Sequence, residues 1–155
     1  MLRRLIALSL VLLFVAGVGM AGEKPWFDME NCGMCKSLGS NAELMENLSW
    51  EQHNISNGIL AVTTVSPKYL ESYRAAHAEM SKTAQRLAKG EMMEMCGSCM
   101  AFGMCMMKGA RQEYVETSTG DVWIVTSDNP ELVVDLQNWV KRNKEEMAKL
   151  KPAKG

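Results

Sequence analysis

The twenty residues EMMEMCGSCMAFGMCMMKGA, Glu91 to Ala110, hold three cysteines and seven methionines. Cys96 and Cys99 form a Cys-x-x-Cys pair there, and a second pair, Cys32 and Cys35, lies in ENCGMCK. Two such knuckles can supply the four thiolates that one tetrahedral ion takes, so these four residues are the expected metal ligands. Glycine follows the first cysteine of each pair (Gly33 and Gly97), which reads as a backbone turn aiming both sulfurs at one point. Cys105 adds a fifth, exchangeable thiol to the set.

The neighbouring thioethers bear on which ion is held. Met29 and Met34 flank the first pair, and Met92, Met93, Met95, Met100, Met104, Met106 and Met107 surround the second. Four thiolates suit Zn(II), whereas thiolate with thioether favours Cu(I), and the residues leave the two open. Met95, Met100, Met104, Met80, His53 and His77 form a second tier of candidate ligands. A single methionine or histidine on an apolar face is ordinarily packing, so the argument rests on the cluster. The reading is a protein that binds, buffers or delivers a soft metal ion, with a donor or acceptor protein as its further partner.

Two other chemistries use the same atoms. The four paired cysteines can instead form two disulfides in an exported binding module, leaving one thiol over from five. CGMCK also resembles the CGPCK of thioredoxins over five residues, with Met34 where that family has proline. The resemblance implies thiol–disulfide exchange, which needs a strand before the motif, and PWFDMEN is not strand-like. Covalent haem attachment uses C-x-x-C-H, but Lys36 and Met100 follow these pairs. No Ser/His/Asp set or phosphate-cradling glycine loop is visible, and no catalysis is expected beyond thiol exchange.

The elements that position these sulfurs follow from an internal likeness. NGILAVTTVSPKYLESYRAAH (57–77) lies on TGDVWIVTSDNPELVVDLQNWV (119–140), each with a glycine turn, a β-rich run and a proline opening a helix. The hairpin runs are WEQHNI and ILAVTTV in one copy, QEYVET and DVWIVT in the other. The helices carry the stripes Leu70, Tyr73, His77, Met80, Ala84, Leu87 and Val133, Leu136, Val140, Asn143, Met147, Leu150. Both step by three and four, and each member stands 63 positions from its counterpart. His53 and His77 align with Val115 and Val140, which suggests that one copy turns histidines toward a shared site.

The predicted fold is α+β: a duplicated ββα unit whose hairpins form a four-stranded antiparallel sheet, with two helices on one face. Residues 22–47 form a Cys-x-x-Cys arm, 48–89 the first copy, 90–110 a Cys/Met-rich insert and 111–150 the second copy. The sulfur thus sits outside the repeated scaffold, which argues against a packing role.

MLRRLIALSLVLLFVAGVGMA has the form of a secretory signal over residues 1–21: Arg3 and Arg4, an uncharged apolar run, then small residues. A periplasmic or secreted single domain, 22–155, is expected, with no membrane association after cleavage. The whole chain of 155 residues has a formal charge of −1; without its two leading arginines it carries −3. No basic face dominates, so nucleic acid is not an expected partner.

Overall fold

The computed structural model describes residues 24–150. The predicted signal segment and the last five residues lie outside them. Among the described residues no helix is long and apolar enough to cross a membrane.

Two β-rich runs separated by two polar residues make each hairpin. Strand β1 (Leu48–Ile55) returns through Ser56 and Asn57 into β2 (Gly58–Val65). Strand β3 (Arg111–Thr117) returns through Ser118 and Thr119 into β4 (Gly120–Thr126). The glycines expected inside the turns are instead the first residues of the returning strands. Their reason is close approach: a Cβ on Gly58 would sit 1.9 Å from the Val125 carbonyl oxygen, and one on Gly120 2.0 Å from that of Thr63. The sheet is four-stranded and antiparallel, in the order β1-β2-β4-β3.

Its register sets one row of side chains as Gln52, Ala61, Trp123 and Tyr114, with Trp50, Thr63 and Asp121 in the adjacent row on the same face. Short helices α1 (Lys36–Gly39) and α2 (Ala42–Glu46) precede the sheet. After β2 a 3-10 turn, Pro67–Tyr69, leads into α3 (Leu70–Ala88). Helix α4 (Gly97–Met107) carries the second knuckle, and α5 (Pro130–Leu150) follows β4. Asn129 caps α5 by accepting from the Glu131 N–H at 2.9 Å, with proline at the first helical position.

The core falls into two clusters. The larger gathers Ile59, Val125, Leu132, Leu136, Trp139 and Val140, with Cys105 and Ala110 from the sulfur-rich segment. Trp139 stands edge-on to Trp50 and Trp123, with centroids 6.3 and 6.1 Å away, anchoring α5 to the sheet. The smaller joins Leu44, Val65, Tyr73 and Ala76, and there the Tyr73 hydroxyl donates to the buried Asp121 carboxylate. The α5 stripe is shifted from the expected one: Leu132, Leu136, Trp139, Val140 and Asn143 are its buried residues. On α3 only Tyr73 and Ala76 are buried, so His77, Met80 and Leu87 lie at a partly open face.

Candidate metal centre

Each knuckle sits at the start of a helix. Before the first, the Asp28 carboxylate accepts from the backbone N–H groups of Glu30 and Asn31 at 3.1 and 2.8 Å, turning the chain toward Cys32. The Cys32 carbonyl then accepts from the N–H groups of Cys35 and Lys36 at 3.1 and 3.0 Å, folding Cys35 back over Cys32. In the second knuckle Cys96 is the N-cap of α4 and Cys99 lies in its first turn. The partial positive charge of that helix end favours thiolate over thiol at Cys96.

The knuckles are docked on each other by their glycines. Gly33 donates its N–H to the Glu94 carbonyl at 2.8 Å, and Gly97 donates to that of Pro25 at 3.0 Å. A Cβ on Gly33 would meet the Met93 sulfur at 2.7 Å, and one on Gly97 the Trp26 ring at 3.0 Å. Neither glycine has positive φ. Their smallness is needed because each knuckle presses against the lead-in to the other, a reason different from the turn expected from sequence.

The result is a cluster. The Sγ atoms of Cys32, Cys35, Cys96 and Cys99 all lie within 4.8 Å of one another. Cys35 Sγ is 3.4 Å from Cys99 Sγ and 3.9 Å from Cys96 Sγ. Four sulfurs arranged tetrahedrally about zinc at ~2.3 Å are ~3.8 Å apart, so the donor set fits a tetrahedral d10 ion. All five cysteines are free thiols.

The cluster is electrostatically uneven. Hydrogen bonds from Cys35, Cys96 and Cys99 hold the Cys32 thiol far below its usual range. At Cys96 the interaction with Cys32 raises the pKa, but hydrogen bonds with Cys35 and Cys99 outweigh it and leave the group down at about 6. Cys35 is pushed up chiefly by Cys32 and then Cys96, and Cys99 by Cys32, Cys35 and Cys96. Four thiols this close cannot all ionise without a cation. Their mutual interactions lower the pKa at Cys32 and Cys96 and raise it at Cys35 and Cys99.

A buried polar network fixes the second knuckle. Asn143 on α5, fully buried, accepts through Oδ1 from Trp26 Nε1 at 2.8 Å and from Ser98 Oγ at 2.9 Å. Its amide donates to Gln52 Oε1 at 3.2 Å, and Trp139 Nε1 donates to the Ser98 carbonyl at 3.0 Å. Ser98 lies between the two cysteines of its knuckle, so α5 holds that loop against the amino-terminal arm. This network escaped the sequence reading. Its trace was Asn143, a polar residue on an otherwise apolar stripe.

The other candidates lie elsewhere. Cys105 is 5% exposed within the larger core cluster, where burial raises its pKa. It is a packed thiol outside the group of four. His53 is on the edge strand β1, 3.6 Å from Glu51. His77 lies between Tyr73 and Tyr114, with ring centroids 6.1 and 4.6 Å away. The shared site expected for both histidines therefore does not include them among the clustered ligands. Met80 and Met95 are half-buried, and Met100 and Met104 point outward from α4.

No protein family, curated protein or solved structure matches this chain.

Proposed function

We propose that this protein binds a soft d10 metal ion, Zn(II) or Cu(I), through Cys32, Cys35, Cys96 and Cys99. The observation that carries the reading is the meeting of all four sulfurs within 4.8 Å, from segments 61 positions apart. Burial supports ion binding over thiol–disulfide exchange, which needs a reachable thiolate. Here Cys32 and Cys96, the first cysteine of each pair, are 0% and 2% exposed. Partial exposure of Cys35 and Cys99 supports a role in buffering or delivery, since an incoming ligand can reach the ion from that side.

The same reading places the site on a duplicated ββα scaffold in an exported protein. The symmetric pairing of β2 with β4, Gly58 opposite Thr126 and Thr64 opposite Gly120, supports the duplication. The contacts of Trp139 with Trp123 and of Tyr73 with Asp121 support two helices over one face. The signal-like segment supports export, where a metal protects thiols that would otherwise oxidise.

Elemental analysis of protein purified without chelator tests the reading, with mass measured under denaturing, thiol-blocking conditions. One zinc or copper per chain is expected, and its loss in the double variant Cys96→Ser, Cys99→Ser. Equal metal content in both proteins, or two disulfides and no metal, would remove the metal centre.

A further inference from the structure

The cage does not use the methionines that follow it. On α4, Ser98 and Cys105 are buried, Phe102 packs on Trp123 and Trp139, and Ala101 and Met106 join the same cluster. Met100, Met104 and Met107 follow at i, i+4 and i+7 and are 45%, 51% and 76% exposed. At 100° per residue they occupy an arc of roughly 60°, on the opposite side of the helix from the packed residues. A helix face in water ordinarily carries charged or polar groups, yet α4, GSCMAFGMCMM, has no charged residue. Gly103, beside the three, has open space where a Cβ would stand. The row starts one residue after Cys99, the half-open thiol of the cage, and runs outward for about 10 Å.

We propose that Met100, Met104 and Met107 form a second, surface site for a monovalent soft cation, Cu(I) or its analogue Ag(I). Side chains three or four apart on a helix have Cβ atoms about 5–6 Å apart, and methionine's three rotatable bonds let Met104 share an ion with Met100 on one side or with Met107 on the other. Thioethers are neutral, so the site holds a monovalent ion without releasing protons. They are poor zinc ligands, so the site distinguishes Cu(I) from Zn(II) even if the cage does not. The proposal does not require the cage to hold metal.

The test is titration of the full chain, isotope-labelled at the methionine methyl groups, with Ag(I) as a redox-inert probe. Silver fills the thiols first. The next equivalent is expected to shift the methyl signals of Met100, Met104 and Met107 saturably, by the same amount at pH 5 and pH 7. The volume-conserving variant Met100→Leu, Met104→Leu, Met107→Leu is expected to bind one equivalent fewer. The three methyls are expected to respond in the Cys96→Ser, Cys99→Ser variant as well, which separates this site from the cage. No saturable shift of these methyls, a response confined to Met92, Met93 and Met95, or unchanged stoichiometry in the leucine variant would overturn the proposal.

Discussion

Each knuckle contributes one sealed sulfur and one open sulfur. Cys32 and Cys96 are 0% and 2% exposed, whereas Cys35 and Cys99 are partly open to solvent. The first cysteine of each pair lies where one knuckle docks on the other; the second is carried outward by the helical turn that follows. The cluster therefore has an anchored side and an open side, and each knuckle contributes to both. The pKa shifts divide the same way, downward for the sealed pair and upward for the open pair.

The largest effect expected from this asymmetry is on metal retention. Apparent folding-coupled zinc affinities of about 10–16 kcal/mol spread over four ligands give about 100–1,000-fold weaker binding for one lost thiolate. Cys32→Ser and Cys96→Ser should reach the upper end, and Cys35→Ser and Cys99→Ser, where water can substitute, the lower. Competition with a chromophoric chelator measures all four. Equal losses would show that the sealed and open sulfurs are equivalent.

The anchored side should also depend on residues that never touch the ion. Asn143→Ala strands the Trp26 and Ser98 donors that it satisfies, costing about 3 kcal/mol in urea unfolding. Metal affinity should fall roughly 10–100-fold, as for groups that orient ligands at second hand. An affinity unchanged in a folded Asn143→Ala protein would mean that the loop is held without α5.

Cys105 offers a contrast within the same sulfur-rich segment. Cys105→Ser places a hydroxyl in an apolar cluster and should cost about 1–3 kcal/mol of stability. One ion per chain should remain by elemental analysis. A halved metal content would bring Cys105 back among the ligands.

The smallest effect is on proton balance. With Cys96 at about 6 and Cys32 lower, both are ionised at pH 7, while Cys35 and Cys99 are raised and protonated. Metal uptake at pH 7 should release about two protons, against about four from ordinary thiols. Lowering the pH through 6 returns a proton to Cys96, so release rises and affinity falls; raising it reverses both. Calorimetry in buffers of different ionisation enthalpy reads the number directly. Four protons at pH 7 would erase the distinction between the pairs.

The knuckles, the strands and the long helices were legible because each depends on local spacing. Cys-x-x-Cys spacing, alternating β-branched runs and proline after a capping asparagine are patterns a few residues wide. The histidines were less legible. His53 and His77 align in sequence with Val115 and Val140, but an aligned position says nothing about what stands opposite it. For His77 that is Tyr114, reached only once β3 is placed at the sheet edge. Asn143 was hidden for the same reason: its partners are Trp26, Ser98 and Gln52, separated from it by 117, 45 and 91 positions.

By itself the chain determined which atoms were available for chemistry, four paired thiols among many thioethers, but it left the segment that folds as α4 as an insert without an assigned element. Only the tertiary structure decided that Cys32 and Cys35 meet Cys96 and Cys99 while Cys105, six positions further on, is spent on packing. The reason is physical. Local spacing fixes the direction of a side chain within its own turn. Whether two distant turns converge depends on backbone hydrogen bonds between them, from Gly33 to Glu94 and from Gly97 to Pro25, and on an absence of side-chain bulk that lets them close.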